Sequence, residues 1–321
     1  MSNIVNIFKF TGNYGGDAYE EWLSSELKKL LNVRVHEEPR LGGIKTIVSL
    51  LKLIVGGLKR DISDVLRPFG LPIYKRNMVV VFHHFDHTDC RWYTRAIEYF
   101  DYFILRLMSR YLNIRFVCVS AYWKKWLIDK GFNVIAIIYN ELTIIESDLK
   151  SRSFLASKYG LDFDKKWIFL GAAQSKKGGL EIIEHFSQNT NIRYQFILSG
   201  KSSAKDLHLN SKTIWLDNGD YYGFLKSCHI VVANSKFQEG WCRVLHESIL
   251  LKIPVVGSGK GGMGELLRLA GMNSSYSPLE MVEVISSPIS ISDTISLNLI
   301  NYIRINNSSA LNILAKCFSR S

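Results

Sequence analysis

Short apolar runs rich in β-branched residues alternate with longer amphipathic segments along most of the chain, and this alternation is the feature that most restricts its fold. Runs such as MVVVFHHF, WIFLGAA and HIVVANS have the length and composition of buried strands. Segments such as AYEEWLSSELKKLL and RVLHESILL have the apolar spacing of amphipathic helices. Strands that alternate with helices favour parallel sheets joined by crossover helices. The sequence therefore predicts an α/β protein.

The alternation consists of two series. The strand candidates are IVNIFKF, MVVVFHHF, IRFVCVS, VIAIIYN, WIFLGAA, YQFILSG, TIWLD, HIVVANS and IPVVGS. The helix candidates are AYEEWLSSELKKLL, SAYWKKWLIDKG, GGLEIIEHFSQ, YYGFLKSC, RVLHESILL and GELLRLA. A polar, turn-rich stretch near residues 147–165 separates the series, and the second one begins at Trp167. We predict an N-terminal Rossmann-like domain at residues 1–150, a C-terminal one at residues 151–305, and a last helix at residues 306–321 that packs back on the first domain.

The cysteines and the apolar segments bear on location. The five cysteines form no C-x-x-C pair, so neither a zinc site nor a disulfide framework is indicated, and a reducing cytoplasm fits best. The first ten residues, MSNIVNIFKF, lack the pattern of a secretion signal. The apolar segment at residues 42–60 is interrupted by Lys45 and Lys52, which predicts a buried helix or one that lies in a membrane interface. We expect a cytoplasmic protein, with peripheral contact to the inner membrane face left open.

The chain is basic, with 40 Lys and Arg side chains against 29 Asp and Glu and a formal net charge of +11. Residues 91–130 alone hold eight basic and three acidic side chains. Such a cluster is typical of a solvated helical face, and it could also attract phosphates, anionic lipid or nucleic acid. A non-catalytic nucleic-acid-binding α/β protein is therefore an alternative reading.

Glycine and lysine recur where predicted strands end. In parallel sheets, ligands bind at the carboxyl ends of strands, where helix N-termini favour anions. Gly15 and Gly16 follow the first strand, in a loop that would let backbone N–H groups approach a phosphate. Lys176 and Lys177 precede a double glycine before a helix, a pattern that suits a diphosphate, and Gly200 ends the next strand.

The stretch ANSKFQEGWCRVLHESILLKIPVVGS carries two glutamates, Glu239 and Glu247, in a mostly apolar context. Together with FLGAAQSKKGGLEII, FILSGK and GKGGMGEL, it resembles the nucleotide-sugar half of glycosyltransferase family 4. The N-terminal half resembles that family more loosely, through NYGGDAYEEWLSSEL, VVVFHHFD and CVSAYWKKWLIDKGFNVIAIIYN. The resemblance implies the GT-B fold, in which two Rossmann-like parallel-sheet domains face a central cleft.

The resemblance also assigns roles to individual residues. It implies that Glu239 approaches the donor sugar, that Glu247 accepts hydrogen bonds from the nucleotide ribose, and that Lys177, with Lys176, stabilises the leaving diphosphate. It implies that His84, or less closely His83, lies near the reaction centre. The other implied donor-binding residues are Gly15, Gly16, Gly200, Gly240, Trp241, Cys242 and Arg243.

The implied reaction is the transfer of a hexose from a nucleotide-diphosphate sugar to a hydroxyl of a glycan, a lipid-linked or a protein acceptor, with retention of configuration. The resemblance implies no cofactor and no metal, and no nucleic acid is expected as a partner. The chain departs from the family at Cys242 and Lys252, where the family usually has glycine, at Trp241, where Phe is common, and near Ala172, where an arginine is missing.

Two possible metal sites have less support in the sequence than the metal-free site. The stretch HHFDHTD offers His83, His84 and His87 with Asp86 and Asp89, but a strand would place its two adjacent histidines on opposite faces. The D-x-D of Asp162 and Asp164 would suit a metal-dependent GT-A-type transferase. It stands before a predicted strand rather than after one, where a metal site at a carboxyl end belongs.

Overall fold

The protein is described here by a computed structural model that divides into two compact units. The first unit comprises residues 1–141 and 302–321, and the second comprises residues 142–301. The sequence places the corresponding boundaries after residues 150 and 305. The residues that the structure describes are 4–11, 15–39, 64–71, 73–75, 77–85, 92–144, 149–187, 193–200 and 210–319.

The first unit contains a parallel sheet of six strands in the order β2-β1-β3-β4-β5-β6. These strands are β1 (Val5–Thr11), β2 (Val33–Pro39), β3 (Asp64–Pro68), β4 (Asn77–Phe82), β5 (Asn113–Cys118) and β6 (Val134–Ile137). The strand order reverses at β1, which has β2 on one side and β3 on the other. Ligands of parallel sheets bind at such reversals.

Among the described residues, three helices accompany this sheet: α1 (Gly15–Lys28), α2 (Trp92–Met108) and α3 (Ala121–Asp129). Strands and helices enclose an apolar core in which Phe82, Phe116 and Trp123 are among the largest fully or almost fully buried side chains. Helix α1 begins at Gly15, so Gly15 and Gly16 form its first turn instead of a loop ahead of it.

The second unit contains a parallel sheet of five strands in the order β11-β10-β7-β8-β9. These strands are β7 (Lys166–Ala172), β8 (Tyr194–Ser199), β9 (Ser211–Ile214), β10 (Ile230–Ala233) and β11 (Val255–Gly257). The chain runs outward from β7 through β8 to β9, and then returns to place β10 on the other side of β7. The carboxyl ends of β7 and β10 therefore meet at the reversal of strand order, where a ligand site is expected.

The described helices of the second unit include α4 (Arg152–Tyr159), α5 (Gly179–Ser187), α6 (Tyr221–Lys226), α7 (Arg243–Leu250), α8 (Gly262–Leu269) and α9 (Pro278–Ser286). Helix α10 (Asp293–Ser319) then runs through the boundary between the units. Every strand and helix candidate from the sequence has a counterpart, which confirms the predicted pair of parallel-sheet, Rossmann-like domains.

Residues from 302 onward, in helix α10, belong to the first unit. Asn307 fixes them there, because its amide accepts from the backbone N–H of Tyr139 at 2.8 Å and donates to the carbonyl of the same residue at 3.1 Å. Asn307 is buried, so these hydrogen bonds are shielded from competing water. Among the described helices, none combines the length and apolarity needed to span a bilayer.

Lys252 adopts a backbone conformation that normally belongs to glycine. It follows helix α7 with φ of 61°, the one described non-glycine residue with a positive φ. Its N–H donates to Ile249 at 3.0 Å and the N–H of Ile253 donates to Ser248 at 2.8 Å, which is the Schellman pattern of a helix end. The side chain forms an ion pair with Asp293 in which both partners are largely exposed.

Substitution Lys252→Gly should raise the free energy of unfolding by about 0.5–1 kcal/mol, because glycine enters the left-handed region without steric cost. The gain is limited by loss of the exposed ion pair, which is worth at most about 1 kcal/mol. The expected rise in melting temperature is about 2–4 °C per kcal/mol. Lys252→Ala is the matched control, since it removes the ion pair and keeps the steric cost. Equal melting temperatures for the two variants would contradict this explanation.

Candidate functional site

Lys177 and Glu239 meet at the reversal of strand order in the second sheet. Lys177 lies in a 3-10 turn, Ser175–Lys177, shortly after β7, and Glu239 lies in the loop after β10. The ammonium group of Lys177 is 2.6 Å from Oε1 of Glu239. The hydroxyl of Ser235 donates to the same carboxylate oxygen. The Lys177 side chain is 29% exposed against 9% for Glu239, so the lysine is the partner that a ligand can reach more easily.

Both neighbouring lysines lie against one aromatic ring. The ammonium groups of Lys176 and Lys177 are 4.9 Å and 4.8 Å from the ring centre of Phe237. An aromatic face attracts cations at this range. Phe237 therefore holds two positive charges at the start of helix α5, where the helix dipole adds to the attraction for an anion.

Two glycines permit the close packing around Glu239. Gly261 has φ of 67° and pairs with Glu239 as an isolated parallel bridge. The N–H of Gly262 donates to the carbonyl of Glu239 at 2.8 Å. A Cβ atom at Gly261 would collide with the backbone of Glu239, and one at Gly178 would collide with the backbone of Asn234. Larger residues at either position would displace the loops that carry the Lys177–Glu239 pair.

Asn234 joins the end of β10 to the turn that carries Lys177. Its amide donates to the carbonyl of Gly178 and to the carboxylate of Glu181, each at 3.1 Å. The backbone N–H of Lys236 also donates to the carbonyl of Lys176 at 2.8 Å. These contacts fix the spacing between the lysine turn and the glutamate loop.

Glu247 lies on helix α7 with its carboxylate almost wholly buried. Oε1 accepts from the guanidinium of Arg243 at 2.7 Å, and Oε2 accepts from the hydroxyl of Tyr221 at 2.8 Å. Burial, followed by the negative charge of Glu247, raises the pKa of Tyr221 and of Tyr222, so both phenols remain protonated hydrogen-bond donors. A carboxylate offers about four lone-pair positions, so these two bonds leave it acceptor capacity.

His246, on helix α7, is a residue of this site that the sequence patterns do not indicate. Its Nδ1 accepts from the indole N–H of Trp241 at 3.2 Å, and both side chains are buried. Burial, with the positive charge of Arg243 as a smaller cause, lowers the pKa of His246 to about 3. The imidazole is therefore neutral, which it must be in order to accept the bond. A histidine five residues after a buried tryptophan could have indicated this pair, because an indole N–H needs an acceptor when it is buried.

Cys242 and Gly240 complete the loop between the two glutamates, and both are buried. Burial, followed by the charge of Glu239, raises the pKa of Cys242 to about 12. The thiol is therefore protonated, and a protonated buried thiol is a poor nucleophile. Any role of this cysteine in ligand binding falls to its backbone.

Gly200, the remaining glycine assigned to the donor, directly follows β8 and has φ of 144°. Its N–H donates to the carbonyl of Ile214 at 2.9 Å, so it links the carboxyl ends of β8 and β9. Lys201, which follows it, lies outside the described residues.

The histidines of the first unit follow β4, one of the strands beside the reversal. His83 Nε2 lies 3.4 Å from Oε1 of Glu20 on helix α1, and the edge of Tyr19 approaches its ring with the two centroids 5.0 Å apart. Glu20 is buried, while His83 is half-buried. His84 is half-buried as well. Glu20 and Tyr19 therefore define the position of the His83 ring beside helix α1.

The structure bears on the two metal sites that the sequence suggests. Within the described residues, no group of three or more His, Cys, Asp or Glu side chains could hold a metal ion. Residues 86–89 of the HHFDHTD stretch lie outside those residues, as does the segment 42–60. In the D-x-D, Oδ1 of Asp162 accepts from the backbone N–H of Asp164 at 3.0 Å, so this pair forms a turn ahead of β7.

Comparison with known proteins agrees with this architecture. Residues 153–274 match the family model described as glycosyl transferases group 1. No curated protein matches the chain by sequence. Sucrose-phosphate synthase from Thermosynechococcus elongatus is similar in structure, with a TM-score of 0.71, 10% identity, and coverage of 99% of this chain and 98% of that one.

Two further solved structures are similar over nearly their whole length. HepE from Anabaena, in complex with UDP and glucose, has a TM-score of 0.66 and 16% identity, and 99% of this chain and 100% of that one are covered. WaaG, a glycosyltransferase involved in lipopolysaccharide biosynthesis, has a TM-score of 0.66 and 12% identity with the same coverage. The chain thus has the two-unit, parallel-sheet GT-B fold of these glycosyltransferases, and its residues 153–274 are similar to the glycosyl transferases group 1 family.

Proposed function

We propose that the protein transfers a hexose from a nucleotide-diphosphate sugar to a hydroxyl of a glycan, lipid-linked or protein acceptor, with retention of configuration and without a metal. The observation that carries this proposal is the pair of Lys177 and Glu239 at the carboxyl ends of β7 and β10. The pair combines a cation for a leaving phosphate with a carboxylate for a sugar.

Lys177 stabilises the leaving diphosphate. As the bond from sugar to phosphate breaks, negative charge grows on the diphosphate and positive charge on the sugar ring. A lysine ammonium and the start of helix α5 both favour the growing negative charge. In the structure Lys177 is paired with Glu239 and 29% exposed, and a diphosphate carries more negative charge than one carboxylate. The diphosphate therefore competes for the lysine and frees the Glu239 carboxylate for the sugar.

Glu247 binds the ribose of the donor. Arg243 and Tyr221 each hold one of its two oxygens, which fixes the carboxylate that accepts from a vicinal diol. Gly200 lies near the base and sugar, and Gly240 and Trp241 border the hexose. Gly15 and Gly16, in the first turn of helix α1, supply backbone N–H groups to the phosphates.

In this mechanism lysine side chains and backbone N–H groups stabilise the negative charge of the leaving diphosphate. No step needs a protein side chain as a base. The acceptor hydroxyl attacks from the face that the diphosphate leaves, and its proton passes to the departing phosphate. His84, or His83 held by Glu20, lies on the acceptor side and orients the sugar or the acceptor hydroxyl.

The first experiment measures thermal unfolding with UDP, GDP, ADP, CMP and dTDP, each with and without EDTA. A nucleotide at about 100 times its dissociation constant should stabilise the protein by roughly 2.7 kcal/mol. UDP is the first nucleotide to test because the HepE structure contains UDP. We expect nucleotides of one base to raise the melting temperature of the protein, and to raise it equally with and without EDTA. A response that EDTA abolishes would support a metal-dependent transferase instead.

Matched variants locate the binding site. Glu247→Gln keeps an acceptor for Tyr221 but removes the charge that faces Arg243, and should weaken nucleotide binding about tenfold or more. Glu283→Gln, on the exposed surface of helix α9, is the control and should respond as the native protein does. No response to any nucleotide, together with salt-sensitive binding to DNA or RNA, would support the nucleic-acid-binding alternative. The anomeric configuration of the product then tests retention.

A further inference from the structure

Helix α2 of the first unit is apolar on two opposite faces. One face packs into the core through Leu105, with Ile97 and Met108 beside it. The opposite face carries large apolar side chains that solvent reaches, with Phe103 63% exposed. We call this second face the aromatic stripe; its members are Phe100, Phe103, Leu107 and, three residues after the helix ends, Tyr111. Tyr99 lies at its border, with its ring centre 5.2 Å from that of the buried Phe85.

The spacing of the stripe is that of a continuous helical face. Phe100, Phe103 and Leu107 follow at intervals of three and four residues, which places them in one row along the helix. From Phe100 to Tyr111 the row is about 16 Å long at the rise of an α-helix. Exposed apolar side chains occur singly on any surface, whereas a row of this length indicates a site of interaction.

Arginines flank the stripe. Arg95, Arg106 and Arg110 are exposed on the same helix, and successive turns bring them to one edge of the apolar row. Arg106 is held there, since its guanidinium donates to the carbonyl of Lys130 at 3.0 Å. Asp101, on the same helix, is completely buried in an ion pair with Arg67, so it does not offset these charges at the surface.

We propose that the aromatic stripe and its arginines dock on the surface of an anionic lipid bilayer. Phe and Leu side chains enter the boundary between head groups and acyl chains, Tyr side chains sit at head-group level, and arginines pair with lipid phosphates. The surface belongs to the first unit alone and goes beyond the transferase reaction. It places the enzyme where an acceptor carried by a lipid is concentrated.

Charge argues for lipid over a second copy of this chain. A symmetric contact through the stripe brings the same arginines of two protomers together, and among the described residues helix α2 exposes no carboxylate that pairs with them.

The composition of the stripe favours a lipid partner over nucleic acid. Bases stack on separate aromatic platforms, but Leu107 sits within the row and has no stacking face.

The test is flotation of the full chain with vesicles of phosphatidylcholine and with vesicles of phosphatidylcholine and phosphatidylglycerol in equal parts. We expect binding to the anionic vesicles, and little to the neutral ones. Phe103→Glu with Leu107→Glu should lower anionic-vesicle binding about tenfold or more, because it removes the inserted side chains and adds negative charge. Arg95→Gln with Arg110→Gln should lower it about tenfold, since each arginine near an anionic surface contributes a several-fold gain.

Ile305→Glu with Ile313→Glu is the matched control. The two isoleucines are 72% and 43% exposed on helix α10 and belong to the first unit, so this variant adds the same two negative charges elsewhere and should bind as the native protein does. Equal binding of all variants overturns the proposal, as does failure to bind anionic vesicles. Loss of a dimer in the Phe103→Glu and Leu107→Glu variant would assign the stripe to a second copy. Displacement of the protein from vesicles by RNA, with tight RNA binding, would assign the surface to nucleic acid.

Stabilisation of the protein by nucleotides is measured separately in every variant. A failure of the membrane proposal can therefore be distinguished from a failure of the proposed transferase mechanism.

Discussion

Substitution Lys177→Ala should lower kcat by about 100-fold or more, because it removes a positive charge from the position where the leaving diphosphate gains negative charge. The loss should appear in kcat and in kcat/KM together, as expected for an interaction that strengthens in the transition state. The measurement is steady-state transfer with the donor that the nucleotide panel identifies. Lys177 is 29% exposed, so the variant should fold.

Lys176→Ala is the matched control for this prediction. Lys176 lies at nearly the same distance from Phe237, 4.9 Å against 4.8 Å, while the ammonium group of Lys177 donates a hydrogen bond to Glu239 at 2.6 Å. We therefore expect Lys176→Ala to lower kcat much less than Lys177→Ala. A Lys177→Ala enzyme that turns over as fast as the Lys176→Ala enzyme would remove Lys177 from the proposed mechanism.

Most elements of both sheets could be predicted because their strands are continuous apolar runs. Strand β3 could not, since its sequence DVLRP carries two charged residues although all five of its residues are buried. These charges are tolerated because Arg67 pairs with Asp101 and Asp64 bonds to Asn77. Pairing between distant residues leaves no periodic pattern in the sequence, so a strand of this kind reads as polar.

Helix α4 shows a different limit. Its segment SRSFLASKYG reads as polar and turn-rich, and the boundary between domains was predicted within this region. Yet Ser151 caps the helix by accepting from the N–H of Phe154, and Gly160 ends it with φ of 60°. Both are recognisable start and stop signals. A short helix between them exposes most of its surface, so its apolar periodicity is weak.

The residues of the candidate site could be predicted from the sequence, but the contacts between them could not. The glutamate pair and the double lysine carry the resemblance to known transferases, but the contact of Lys177 with Glu239 joins positions far apart in the chain. Only the strand order, which places β7 beside β10, brings them together. The bonds of Tyr221 to Glu247 and of Trp241 to His246 likewise depend on how helix α7 packs.

The most damaging single change to stability should be Asp101→Ala in the first unit. Both side chains of the Asp101–Arg67 pair have zero exposure, and the guanidinium forms two hydrogen bonds to the carboxylate at 2.9 Å. The backbone N–H of Gly70 and the hydroxyl of Tyr74 donate to the same carboxylate at 2.8 Å and 2.9 Å. Asp101 therefore compensates one buried positive charge and two partly buried neutral donors.

We expect Asp101→Ala to lower the free energy of unfolding of the first unit by about 3–5 kcal/mol, because it leaves the Arg67 charge buried without a carboxylate partner. Among the described residues, the carbonyl of Pro68 and the sulfur of Met78 are its remaining hydrogen-bond acceptors. That is a large part of the total stability of an ordinary domain, about 5–15 kcal/mol. Urea unfolding measures it. The control is the double substitution Arg67→Met with Asp101→Leu, which removes both charges and should cost less than Asp101→Ala alone, since a buried ion pair is often replaceable by apolar residues of similar volume. If the double variant were instead the less stable of the two, the penalty would arise from packing, and the uncompensated charge of Arg67 would not explain it.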